Sequence, residues 1–275
     1  MNTIDVETAY GTIRGLRHEG VTIFRGIPYA GRVSGDRRFR APAELEPWPG
    51  VRDALHLGAP AIQLFRQNEP EPAEDCLFLN IWTPATDNQR RPVMFYSHGG
   101  GFVIGSGGSA AQDGTNLARN FDVVVVQTNH RLGLLGFLYL DELAGEEYAG
   151  SGNQGLLDIV AGLEWVNKHI SRFGGDPDNV MIFGESGGGA KTSCLYAMPA
   201  AAPYFSKASI ESGPGVRMLT REMAADFGRR GVRVNAIAPG EIDTSILSPG
   251  TADIVEREIP MKRLGKPSEV AQLIY

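Results

Sequence analysis

A chain of 275 residues with 42% hydrophobic and 21% charged residues has the composition of an ordinary globular protein, long enough for one large α/β domain or two small ones. The net charge is −6, and no Lys/Arg run interleaves with aromatics, which argues against a nucleic-acid partner. No apolar run reaches membrane-spanning length; Val123–Val126 is strand-sized, so no membrane partner is expected. Met1–Glu7 lacks the basic and apolar regions of a secretory signal, and Cys76 and Cys194 are the only cysteines. A cytoplasmic location with free thiols is the expectation.

Residues 3–14 and 20–27 alternate polar and apolar positions around Arg17–Gly20 and predict an antiparallel hairpin. Pro42, Pro47 and Pro49 predict irregular structure over 31–60. Glu74–Trp82 reads as a strand, with the acidic pair Glu74-Asp75 as its polar start and Pro84 closing it. Val93–Ser97 is the next strand, and it runs directly into His98-Gly99-Gly100-Gly101-Phe102. The β-branched run in Asp122–Asn129 suits a strand buried on both faces. A helix opens at Asn153–Asp158, with Leu156, Leu157, Val160, Leu163 and Val166 at helical spacing. Gly174–Pro177 reads as a turn, Asn179–Phe183 as a strand and Ala190–Met198 as a helix. Strands that alternate with helices imply a largely parallel sheet.

Two stretches carry chemistry. Gly184-Glu185-Ser186-Gly187-Gly188 is a G-x-S-x-G sequence between a predicted strand and a predicted helix. In that setting a sharp turn lifts a serine hydroxyl above the sheet edge as a nucleophile. Three glycines after His98 leave backbone N–H groups unobstructed, free to aim at a developing oxyanion.

These stretches, together with Phe24–Ala30, Glu74–Trp82, Asn129–Leu138, Asn153–Asp158 and Phe173–Asn179, closely resemble the type-B carboxylesterases over the first roughly 215 residues. That family is the α/β-hydrolase branch that includes the cholinesterases. The resemblance implies Ser186 as nucleophile and the N–H groups of Gly100, Gly101 and Gly187 as the oxyanion hole. Position 187 is often Ala in the family; Gly keeps the donor. Secreted members pair the Cys of E-D-C-L with an upstream Cys, a place Ile62 takes here, so Cys76 is expected to be an unpaired buried thiol.

Beyond Ser212-Gly213 the chain resembles another family. Val216–Gly228, Gly231–Gly240 and Met261–Ala271 are similar to the C-terminal part of short-chain dehydrogenases. That family's Gly-rich nucleotide loop and its Y-x-x-x-K pair have no counterpart here, so no cofactor is expected. A join within 213–220 is implied, with a helix over 217–228 and a strand over 232–238 that extends the sheet. The expected architecture is a truncated α/β-hydrolase fold: a mostly parallel sheet flanked by helices, one domain over 1–275 with the dehydrogenase-like segment grafted on.

In type-B carboxylesterases the triad Glu and His lie far downstream of the serine. The five histidines here, His18, His56, His98, His130 and His169, all precede Ser186. Glu241 and Asp243 follow the grafted strand, where an α/β hydrolase carries its acid, and His98 adjoins the glycine loop. The plainer readings, two solvated loop carboxylates and a residue that positions the loop, carry more weight. Glu185 reads as support for the turn. A homo-oligomer, with a histidine from a neighbouring subunit, is compatible with the sequence but not specified by it. The expected activity is hydrolysis of short-chain esters with a non-standard or weakened triad, in a pocket left open to small acyl groups. The alternatives are a catalytically impaired scaffold and, third, a nicotinamide-dependent oxidoreductase. No metal site is expected. If the graft extends one sheet, limited proteolysis will give no stable fragment ending near residue 215; such a fragment would overturn the single-domain expectation.

Overall fold

The computed structural model describes residues 2–64, 70–212, 242–243, 250–259 and 261–274. The chain divides into two compact units, Met1–Pro214 and Gly215–Tyr275.

The first unit is built on one sheet. Its strands are β1 (Thr3–Thr8), β2 (Gly11–His18), β3 (Val21–Pro28), β4 (Val51–Asp53), β5 (Phe78–Thr83), β6 (Arg91–Ser97), β7 (Val124–Thr128), β8 (Gly175–Glu185) and β9 (Lys207–Glu211). The order is β1-β2-β3-β5-β7-β6-β8-β9, with β4 beside β2. Pairs from β1 through β7 along this path are antiparallel, and β7-β6-β8-β9 are parallel. The parallel half bears the loops of interest, as expected; the first half is antiparallel because hairpins, not helices, join its first three strands.

Alternation along each strand sorts side chains between two cores. Val124 and Val126 join Phe95, Val93, Ile182 and Val180 on one face, while Val125 joins Trp82, Ile23 and Ala118 on the other. Helix α1 (Thr115–Phe121) supplies Ala118 to the second cluster. Three further helices follow: α2 (Gly133–Phe137), α3 (Asp141–Ala144) and α4 (Gln154–His169). Four of the five positions that predicted α4, Leu156, Val160, Leu163 and Val166, belong to the larger core, where Ile159 joins them in place of the half-buried Leu157. Helix α5 (Gly187–Ala197) starts directly after Ser186, three residues before the predicted helix, and buries Leu195 in that core.

Several expectations need correction. The predicted hairpin is two hairpins, because the chain already turns at Ala9-Tyr10, where the Tyr10 N–H bonds the Thr8 hydroxyl and that hydroxyl donates to the Gly11 carbonyl. The irregular stretch 31–60 contains β4, three residues paired in parallel with Thr12–Arg14. The strand predicted from Glu74 starts at Phe78. Its acidic pair ties down the Pro-rich loop: Asp75 accepts the N–H groups of Val33 and Ser34 at 2.8 and 3.0 Å and the Ser34 hydroxyl at 2.7 Å, and Glu74 pairs with Arg38. Gly175–Pro177 belong to β8 rather than to a turn. Cys76 is a buried free thiol, as expected.

A buried ion pair links the loop after β7 to α4. Arg131 donates to Asp158 through Nε at 2.8 Å and Nη2 at 2.7 Å, and Asp158 also accepts the Arg131 backbone N–H at 2.9 Å. Burial pushes the Asp158 carboxyl up, and Arg131 opposes that shift.

In the second unit, Ile242 bridges Gly265 in parallel, and helices run over Thr251–Glu258 and Pro267–Ile274. Glu269 accepts from Arg263 and from the Lys266 N–H, which hold its carboxyl down to about 2. The expected helix over 217–228, the strand over 232–238 and Glu241 lie outside the described residues. Among the described residues no helix is long and apolar enough to cross a membrane.

Removing one partner of a buried pair strands a charge. Arg131→Met is expected to cost about 3–5 kcal/mol in urea unfolding, with much of that recovered when Asp158→Leu is added. Equal stability of Arg131→Met and wild type would contradict this account.

Candidate active site

The parallel strands β6 and β8 run side by side, with Ser97 opposite Gly184, so their C-terminal ends release two loops next to each other. From β8 the chain turns at Ser186, which has φ 56° and ψ −118°. A serine with positive φ is strained by its own Cβ, and such strain clusters at functional sites. The backbone holds the turn in place: the Ser186 N–H donates to the Glu211 carbonyl at the end of β9 at 2.9 Å, and the Ser186 carbonyl accepts the Ala190 N–H at 3.0 Å. The Ser186 side chain makes no capping bond to its own helix, and the residue is exposed.

The glycines of G-x-S-x-G are explained by close backbone approach. A Cβ on Gly184 would overlap the Gly188 carbonyl, and one on Gly188 would overlap the Ser97 carbonyl oxygen. At position 187 a Cβ would overlap the Gly101 backbone, nitrogen included. Gly187 and Gly101 therefore touch main chain to main chain, beside Ser186. Gly187 is the first residue of α5, so its N–H has no partner within the helix. Gly100 and Gly101 have φ of 84° and 61°, a conformation other residues rarely adopt. The Ile104 N–H bonds the Gly100 carbonyl at 3.2 Å and closes the loop. Further on, Gln63 brackets Gly105 with two bonds of 2.8 and 2.9 Å, and Asn129 and Asn80 hold Gly107 on both sides.

The structure thus brings Ser186, Gly187 and Gly101 together, with Gly100 in the same loop. The acid and base candidates fare differently. His98 is buried; its Nδ1 lies 2.9 Å from the Gly99 carbonyl, and its ring stacks on His130 with centroids 4.4 Å apart. Burial, and next the Lys191 charge, push His98 down to about 3, while His130 is driven well down by burial, by Lys191 and by His98. His169, at the end of α4, packs on Tyr10 and Trp165 and is lowered to about 4, first by burial. His18 and His56 are exposed. Asp243 is exposed, its N–H on the Gly265 carbonyl at 2.8 Å, and Glu241 lies outside the described residues. Among the described residues, no group of three or more His, Cys, Asp or Glu is arranged to hold a metal ion.

Three residues with unusual environments went unread in the sequence. Glu211 pairs with Glu185 across β8 and β9, and its carboxyl is raised, first by burial and further by the Glu185 charge, while a Ser209 hydrogen bond opposes this. Burial and the same two carboxylates push Tyr96 up to about 12. Lys191 is fully buried in α5 and donates to the His98 carbonyl at 2.9 Å. A glutamate at the end of a strand and a lysine in a helix give no local sequence signal of either role.

Comparison with known proteins gives the family of the chain. The profile of the "Carboxylesterase family" matches residues 2–230, and that of "Enoyl-(Acyl carrier protein) reductase" matches 198–275, so the two overlap across the expected join. The para-nitrobenzyl esterase of Bacillus subtilis is 40% identical over 276 residues, 98% of this chain and 55% of that protein. A fumonisin B1 esterase of Sphingopyxis macrogoltabida is 41% identical over 76% of this chain and 39% of its own length. The crystal structure of the Geobacillus stearothermophilus carboxylesterase EST55 superposes with a TM-score of 0.74 at 44% identity, covering 84% of this chain and 49% of that one. The chain spans about half the length of the curated relatives it matches.

Gly188→Ala tests the backbone contact. The added Cβ would meet the Ser97 carbonyl oxygen, which is backbone and cannot swing aside. Destabilisation of about 2 kcal/mol or more is expected in denaturant unfolding, in the range of strain or overpacking. A variant as stable as wild type would show that the two backbone segments are not in contact there.

Proposed function

The chain belongs to the carboxylesterase family, and from that membership we propose that it hydrolyses short-chain carboxylic esters through the Ser186 hydroxyl and a covalent acyl-enzyme. The observation that carries this reading is the contact of Gly187 with Gly101 beside a serine held at positive φ. Ser186 Oγ attacks the ester carbonyl carbon and gives its proton to a base, and the carbonyl electron pair moves onto oxygen. The N–H groups of Gly100, Gly101 and Gly187 bind that oxyanion. Collapse reforms the carbonyl and breaks the bond to the alcohol oxygen, which leaves with the proton. Water repeats the attack on the acyl-enzyme, releases the acid and restores the Ser186 hydroxyl.

The triad in this proposal is weakened. A base works best with a pKa near the working pH, and His98 at about 3 and His169 at about 4 are poor proton acceptors at neutral pH. Oxyanion donors and binding still retain part of the catalysis when a triad member is missing. The low histidine values also favour a second reading, a catalytically impaired α/β-hydrolase scaffold. The dehydrogenase-like end, from about residue 216, is taken as structural; the reductase match over 198–275 supports the resemblance. Two free thiols support a cytoplasmic setting.

Hydrolysis of p-nitrophenyl acetate is the test. Ser186→Ala is expected to lower kcat at least a hundredfold, and equal rates would leave the scaffold reading. His18→Ala, His56→Ala and His169→Ala are each expected to stay within about twofold of wild type. A limb in the pH profile near the ordinary histidine value of about 6.5, lost on one of these substitutions, would overturn the weakened triad.

A further inference from the structure

A fully buried lysine needs a reason. Its ammonium loses hydration on burial, and such a group is tolerated where it is paired, hydrogen-bonded or able to give up its proton. Lys191 is 0% exposed, and among the described residues no carboxylate pairs with it. What it has instead is the loop that follows β6. Its Nζ donates to the His98 carbonyl at 2.9 Å, at the start of the loop, and stands 5.8 Å from the centre of the Phe102 ring, at the end of it. The intervening residues are Gly99, Gly100 and Gly101, which have no side chains with which to hold a conformation of their own.

The place of Lys191 on its helix adds to this. Residues four apart share a helix face, and Lys191 is four residues after Gly187, whose backbone touches Gly101. One face of α5 therefore meets the glycine loop at three points: the carbonyl before it, the backbone within it and the ring after it. The other end of Phe102 is tied as well. Its carbonyl accepts the Gly133 N–H at 2.7 Å, and its ring lies edge-on to Phe137 at 5.0 Å.

We propose that Lys191 is a positioning residue for ester hydrolysis: by gripping both ends of the His98–Phe102 loop, it sets the loop's N–H groups in register with the Gly187 N–H. The inference rests on the reading of Ser186 and these glycines as catalytic machinery. The titratable groups that face the amine are His98, from the loop itself, and His130, from the loop after β7. Both are held neutral, so neither repels it. Burial brings the Lys191 amine itself down to about 7. In either protonation state it keeps N–H groups to donate to the His98 carbonyl.

Lys191→Met keeps the length of the side chain and removes the donor. A displacement of about 1 Å at a reacting centre can cost about a hundredfold in rate. The expected result is kcat for p-nitrophenyl acetate lowered about tenfold to a hundredfold with KM within about threefold. Deuterium uptake is expected to rise in a peptide spanning residues 98–105, while peptides from β6 and β8 and the melting temperature stay as in wild type. Unchanged kcat, or unchanged exchange in the loop, overturns the proposal. So does a loss of kcat accompanied by faster exchange through the whole core, which is the signature of a merely structural lysine. Ser186→Ala separates the two readings. If it hydrolyses as fast as wild type, the catalytic reading falls, and the grip on the loop is decided by exchange alone.

Discussion

Everything at the candidate site depends on one contact between two stretches of main chain. The ends of β6 and β8 approach until the Ser97 carbonyl oxygen fills the space that a side chain on Gly188 would occupy. Beside this contact the chain leaves β8 through a residue at positive φ, Ser186. The same proximity puts Gly187 against Gly101. Close packing of backbone against backbone leaves little room for adjustment, which is why strain at Ser186 persists instead of relaxing.

Much of this could be read in the sequence because glycine is a local signal. A missing Cβ marks a close approach or a left-handed backbone wherever it occurs, and Gly100, Gly101, Gly184 and Gly188 each prove to need one or the other. Strands β6 and β7 were legible for a related reason: they are buried runs of apolar and β-branched residues, short and bounded by polar ends. The α4 helix was legible because its apolar spacing is the spacing of a helix face.

What could not be read are the contacts between distant residues whose local sequence is unremarkable. Lys191 sits in a helix where a lysine ordinarily reaches into water, and only the fold shows that it is enclosed. Its partner is 93 residues away in sequence. Strand β4 has three residues and borrows its geometry from β2, so no periodicity announces it. The low basicity of His98 and His130 follows from burial and from the Lys191 charge, both of which are tertiary facts.

The ties at Glu74 and Asp75 have a consequence of their own. Where secreted carboxylesterases use a covalent bridge at the neighbouring cysteine, this chain has a free thiol and fastens the Pro-rich loop with charges and hydrogen bonds. Glu74 and Arg38 are partly open to solvent, so mobile ions screen them. A bridge of sulfur answers to redox conditions; this fastening answers to ionic strength. The Glu74–Arg38 part of the loop's attachment is thus graded by the surrounding electrolyte, while the bond from Arg131 to the Arg40 carbonyl and the burial of Val33 hold at any ionic strength.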